Sequence, residues 1–186
     1  MTAGAPRPED HVEGDAGAPV TLIEYGDYQC PACRAAYPLV KNLQKHHPHD
    51  LRFVFRNFPL TQAHPLAQRA ARQAEAAAKL GKFWPMHDWL YEHQESWSNG
   101  DGSELLSGAR GLDIDEDELA AAMASPDIER RIRSDFISGV RGGVSGTPGF
   151  FVNGVLYTGV SQAFTRAIEN AVARGNSPSS RAGSKD

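Results

Sequence analysis

The sequence predicts an α/β fold: helices packed on a central β-sheet, with one all-helical segment inserted between strands. Three observations carry this. An apolar, β-branched run, Val20–Tyr25, leads into a helix-compatible segment that begins at Cys30-Pro31-Ala32-Cys33. A second strand-like run, Leu51–Phe58, rich in aromatic residues, follows, so that strand, helix and strand form a βαβ unit. After helical periodicity over about 62–141, β character returns on both sides of Asn153-Gly154, a two-residue hairpin signal.

In chain order, residues 1–17 are rich in Gly, Pro, Ala and acids and read as a flexible lead. The folded domain is expected over 18–174. Its first helix spans about Cys30 to His46, with Tyr37, Val40 and Leu43 at helical spacing. The insertion opens near His64-Pro65 with the Ala-rich stretch Leu66–Leu80. It continues through the aromatic Phe83–Gln94 and a capping-box-like Asp115-x-x-Glu118. Ser125-Pro126 offers an N-cap with Pro at N1 for Asp127–Val140. Gly149–Val152 and Val155–Thr158 are the hairpin strands, and Ser161 caps a final helix, Gln162–Arg174. Residues 175–186 read as a disordered tail. The sum is β-α-β, a helical insertion, then β-β-α.

At 186 residues the chain can bury one core, and a net charge of −4 gives no basic field for nucleic acid. No window reaches the ~18 consecutive apolar residues of a membrane span. The N-terminus has no apolar signal region, which taken at face value implies a cytoplasmic protein. A processed exported form carrying a new start Met would read the same way. The chain has 2 cysteines. A disulfide framework would use several, and a four-thiolate zinc site would need a second pair. The remaining candidate ligands, His46, His47 and His49, lie at the far end of the helix, ~20 Å away at ~1.5 Å per residue. What is left is a reactive dithiol at a strand-to-helix junction, where the helix N-terminus favours a thiolate at Cys30.

Cys30-Pro31-Ala32-Cys33 after a strand, the long helical insertion, and Gly146-Thr147-Pro148 before a strand together resemble the thioredoxin superfamily, and within it the DsbA-like disulfide oxidoreductases. Arg52–Leu60 and Phe83-Trp84-x-Met86-His87-Asp88 resemble DsbA-like bacterial proteins found without signal peptides. Some of those are fused to membrane transporters, and no such fusion is expected here. The resemblance implies a thioredoxin-like sheet, Cys30 as exposed nucleophile and Cys33 as resolving thiol. It implies that Glu24, six residues before Cys30, is a buried carboxylate able to accept the Cys33 proton. It makes Pro148 a cis-proline whose loop, with Gly146 and Thr147, faces the disulfide and pairs with substrate, beside Pro31 and Ala32. Pro38 matches a proline that kinks the active-site helix. Pro-Ala between the cysteines replaces the Gly-Pro of thioredoxins and the Pro-His of the strongly oxidising enzymes, which implies a milder couple.

The implied function is thiol–disulfide oxidoreductase, acting on protein or small-molecule thiols through the CPAC dithiol. No cofactor is expected beyond the cysteine pair, with electrons supplied by glutathione or a thioredoxin-type reductant, and neither metal, nucleic acid nor membrane. Reductase or isomerase action is the expected direction. The alternatives are a glutathione-dependent isomerase or transferase of related fold, which Cys33 argues against, and a redox-sensing or chaperone-like module. His87 and Trp84, Trp89 and Trp97 read as packing residues, and Arg130-Arg131-x-Arg133 as a solvated helix face. Tyr28, Phe58 and Pro59 read equally as an apolar rim for substrate or as core.

Overall fold

The computed structural model describes residues 3–175. Five strands form one sheet in the order β1-β3-β2-β4-β5: β1 His11–Glu13, β2 Val20–Gly26, β3 Leu51–Asn57, β4 Gly149–Val152 and β5 Val155–Thr158. The two strand-like runs become the central parallel pair β2–β3, largely apolar as burial on both faces favours, with Glu24, Arg56 and Asn57 enclosed among them. Its register places Glu24 opposite Phe55 and Gly26 opposite Asn57. β4 runs antiparallel to β2, with Gly149 opposite Tyr25, and β5 closes the hairpin. Asn153 and Gly154 have φ of 47° and 86°, the backbone a type I′ turn demands.

Alternation along β2 builds two layers. Val20 and Leu22 face a core shared with Cys33, Ala36 and Val40 of α1 (Pro31–His46), with the insertion, and with Phe164 and Ile168 of α8 (Gln162–Gly175). Ile23 and Tyr25 face the other way, onto Val54, Phe58, Phe151 and Phe136. The insertion comprises α2 Ala67–Lys79, α3 Phe83–Glu92, α4 Gln94–Ser98, a 3₁₀ turn Ser103–Leu106, α5 Ser107–Gly111, α6 Glu116–Met123 and α7 Pro126–Arg141. Asp115 caps α6 by accepting from the N–H groups of Asp117 and Glu118 at 3.0 and 2.9 Å. Ser161 caps α8 through the N–H of Phe164. Ser125 precedes Pro126 as expected, but its hydroxyl accepts from Lys79 and makes no cap bond.

The expectation of a flexible lead over 1–17 is corrected for residues 3–17, residues 1 and 2 lying outside the described residues. His11–Glu13 pairs antiparallel with β3, and Ala3 and Arg7 are buried. Buried charge holds this segment, which composition does not display. Arg56, fully enclosed, donates to Asp10 at 2.7 and 3.0 Å and to the carbonyls of Ala3 and Ala5, both at 2.7 Å. Arg7 joins Asp10 to Asp135 of α7. Arg131 closes on Asp10 and Asp135, so it does not belong to a solvated helix face. Removing one member of such a network strands its partners' charges, at a cost of about 3–5 kcal/mol. Asp10→Ala is therefore expected to lower stability by roughly that amount in urea unfolding and to expose the N-terminal segment to proteolysis. At the other end, Gly175 belongs to α8, and residues 176–186 of the expected tail lie outside the described residues.

Candidate active site

β2 delivers Glu24 and Gly26 to its C-terminal end, Asp27 follows, and the chain then turns into α1. Cys30 is the N-cap of that helix, in extended backbone (φ −71°, ψ 122°), and Pro31 occupies N1, where no N–H is needed. The first-turn amides are thereby left to the Cys30 sulfur. Cys30 is 6% exposed and Cys33, one turn in, is 0% exposed; both are free thiols. Pro31 and Ala32 stand exposed beside them. The Thr147–Pro148 peptide bond is cis, and the Cys30 thiol donates to the Thr147 carbonyl at 3.5 Å. Gly146, on the same loop, looks into open space. The residues singled out in sequence are thus brought together: Pro31 and Ala32 exposed, Gly146 and Thr147 half-buried, and Cys30, Cys33, Pro148 and Glu24 buried.

The environment separates the two thiols. A hydrogen bond from the Cys33 side chain, reinforced by the Thr147 side chain and by the amides of Cys33 and Ala32, outweighs burial and brings Cys30 down to about 5. Burial, the same hydrogen bond seen from its donor, and the neighbouring Glu24 charge push Cys33 well above the ordinary thiol value. Glu24 is 2% exposed, with no hydrogen-bond partner for Oε1. Burial first, and then the Cys30 charge, raise it to about 8.

Other residues of the site were given no role there by the sequence. Asp27, buried, accepts from the amides of Gln29 (2.8 Å) and Leu60 (2.9 Å), meets His64 Nδ1 at 2.8 Å, and sends its own N–H to the Cys33 sulfur at 3.5 Å. His64 therefore serves the site rather than starting a helix, and α2 begins at Ala67. Gln94, buried in α4, donates to the carbonyls of Tyr28 and Cys30 at 2.6 and 3.0 Å. Asp27 and Gln29 lie beside the motif and had a positional hint; Gln94 had none. Tyr28, Phe58 and Pro59 are buried, so the apolar-rim reading gives way to packing. His87 is enclosed among aromatic rings and bonded to Tyr28 Oη at 3.0 Å. Among the described residues no group of three or more His, Cys, Asp or Glu is placed to hold a metal ion.

The thioredoxin family Thioredoxin_4 matches residues 7–170. Among curated proteins, the chain is 43% identical over 166 residues to the Na(+)/H(+) antiporter NhaA 3 of Salinispora tropica, covering 88% of this chain and 25% of that protein. It is 36% identical over 167 residues to NhaA of Herminiimonas arsenicoxydans, covering 89% and 26%. The chain thus spans about a quarter of the length of the curated relatives it matches. Among solved structures, a thioredoxin-like oxidoreductase from Silicibacter pomeroyi superposes with a TM-score of 0.76 at 30% identity, covering 92% of this chain and 95% of that one. BdbD from Bacillus subtilis superposes at 0.78 with 23% identity, covering 92% and 98%, a likeness of fold. The chain belongs to the thioredoxin superfamily, in its DsbA-like thiol–disulfide oxidoreductase family.

Proposed function

We propose that this chain catalyses thiol–disulfide exchange through Cys30 and Cys33, reducing or isomerising disulfides of protein or small-molecule substrates. The observation that carries this is the asymmetry of the pair: one thiol poised as an anion near the surface, the other held protonated beneath it. The Cys30 thiolate attacks a substrate disulfide and forms a mixed disulfide, releasing the first substrate thiol. Cys33 then attacks the Cys30 sulfur, and the second substrate thiolate leaves. The dithiol itself carries the electrons, with no further cofactor, and glutathione or a thioredoxin-type protein restores them.

Glu24 fits the second step. While Cys30 is a thiolate its charge helps hold the Glu24 proton in place. The mixed disulfide abolishes that charge, so Glu24 ionises more readily at the moment Cys33 needs a base. The base thus becomes available when the intermediate forms.

A Cys30 value of about 5 falls between the ~7 of thioredoxin and the ~3.5 of DsbA. A reduction potential between roughly −270 and roughly −120 mV is therefore expected. Two measurements test the proposal. Thiolate absorbance should titrate near 5 in wild type, and insulin reduction should vanish in Cys30→Ser. Turnover that survives Cys30→Ser, or no turnover in wild type, refutes it. No ion transport is carried over from the antiporter relatives, since the match covers 25% of such a protein and no described helix is long and apolar enough to cross a membrane.

A further inference from the structure

Asp27 meets both cysteines through its own backbone. Its N–H donates to the Cys33 sulfur at 3.5 Å, and its carbonyl accepts the Cys30 N–H at 3.1 Å. Its buried carboxylate is held by three donors. Oδ1 accepts from the Gln29 amide at 2.8 Å, and Oδ2 accepts from the Leu60 amide at 2.9 Å and meets His64 Nδ1 at 2.8 Å. A carboxylate only accepts, so the imidazole is the donor there. Leu60 and His64 lie between β3 and α2, and the His64 amide bonds back to the Leu60 carbonyl at 2.8 Å. Both donors on Oδ2 therefore come from one turn. That turn fixes the carboxylate, and the carboxylate fixes the residue whose N–H faces Cys33. Cys30 has further anchors: Gln94 and the Arg34 amide bond its carbonyl, and its thiol donates to the Thr147 carbonyl. At Cys33 the Asp27 amide opposes the rise that burial causes.

We infer that Asp27 and His64 are a positioning pair that holds the Asp27 amide on the Cys33 sulfur and thereby speeds resolution of the mixed disulfide. This rests on the exchange reading given above. In that step Cys33 gives its proton to Glu24 and attacks as a thiolate. Its sulfur bonds to Cys30 Sγ, the Cys30–substrate S–S bond breaks, and that electron pair leaves on the substrate sulfur, which takes a proton from water. The dithiol ends oxidised to a disulfide, and the substrate disulfide ends reduced by the same two electrons. An N–H already fixed on the sulfur stabilises the charge that the attack requires, with no rearrangement at the moment of reaction.

The test combines Asp27→Asn with two substitutions at His64. In either orientation of the asparagine amide, a donor faces a donor. His64→Leu removes the imidazole donor, whereas His64→Asn keeps an N–H that can stand in for Nδ1. With oxidised glutathione as the disulfide, attack by Cys30 and the subsequent loss of the mixed disulfide are timed separately in single turnover. Resolution should slow about tenfold in Asp27→Asn and less in His64→Leu, with His64→Asn recovering most of the latter loss. Attack should change by less than about twofold in each, since Cys30 keeps its other anchors. Adding His64→Leu to Asp27→Asn should slow resolution no further. Resolution at the wild-type rate in Asp27→Asn and His64→Leu overturns the pair. So does an equal slowing of both steps with a lowered urea midpoint, which marks a packing role alone. A fully additive double variant, or His64→Asn as slow as His64→Leu, also overturns the pairing. If wild type forms no mixed disulfide on Cys30, the exchange reading falls and the pair with it; if it does and the variants resolve it normally, the pair alone falls.

Discussion

Replacing Cys33 with alanine is expected to arrest turnover at the mixed disulfide and, at the same time, to raise the pKa of Cys30. The first effect follows from the missing resolving thiol: Cys30 attacks, and the adduct can leave only by a second external thiol. Multiple-turnover reduction should fall to the rate of that external rescue, with the trapped adduct visible by mass spectrometry. The second effect follows from the hydrogen bond that Cys33 gives to Cys30, the largest of the causes that bring Cys30 to about 5. Alanine removes the donor, and the thiol should move up toward its ordinary value. Below its pKa, each unit of that rise costs about tenfold in thiolate, so the first attack should weaken most at mildly acidic pH. Cys33→Ser separates the two effects. A serine hydroxyl can still donate, so this variant should trap the adduct while keeping Cys30 acidic. Equal titration curves for Cys33→Ala and wild type would show that the helix N-terminus alone, without Cys33, acidifies Cys30.

The reduced protein should respond to Glu24→Gln with a change in how its stability depends on pH. Two groups act in opposite senses. Glu24 stands at about 8 when folded, against an ordinary 4.5, so the folded state keeps a proton that the unfolded chain gives up. Its contribution is complete below about 4.5 and is lost as pH rises toward about 8. Cys30 stands at about 5 when folded against an ordinary 9.0, so its contribution is present above about 9 and is lost as pH falls toward about 5. Between about 5 and about 8 the two slopes cancel, and these groups leave wild type nearly flat. Glutamine cannot titrate, so the variant keeps only the rising Cys30 slope, about 1.4 kcal/mol per pH unit. Urea unfolding of both reduced proteins across this window should show the variant gaining some 2–3 kcal/mol over about two pH units while wild type hardly moves. A wild type as steep as the variant would mean that Glu24 is already ionised. In the disulfide form the Cys30 charge is gone, and the variant should lose its slope.

Much of the fold was legible because local physics writes it directly. Val20–Tyr25 and Leu51–Phe58 gave the central parallel pair, since strands covered on both faces are rich in apolar residues, with the buried Glu24, Arg56 and Asn57 as exceptions. Asn153-Gly154 gave its hairpin because few residues accept φ of 47° and 86°. Asp115 gave its cap because a short side chain there reaches the free amides of its own helix. The N-terminal segment was not legible. It is fixed by Arg56, Asp10, Arg7 and Asp135, whose charges look like ordinary solvated residues until the fold closes around them.

By itself the sequence determined where the cysteine pair sits along the chain and what stands beside it. Cys30 and Cys33 sit one helical turn apart behind a strand, with Glu24 on that strand and Thr147-Pro148 ahead of another. The cysteine spacing and its junction are local and residue spacing encodes them, whereas Glu24 and Thr147-Pro148 were singled out only through the resemblance to the DsbA-like family. The tertiary structure alone decided what surrounds the pair. Asp27 holds Leu60 and His64 against the turn, Gln94 reaches Cys30 from α4, and Tyr91 brings an unpaired hydroxyl to the space beside Gly26. Periodicity reports which face of an element is buried, not what will meet it there. A buried polar group takes its protonation state from what it meets, as Glu24 does from its burial and from the Cys30 charge.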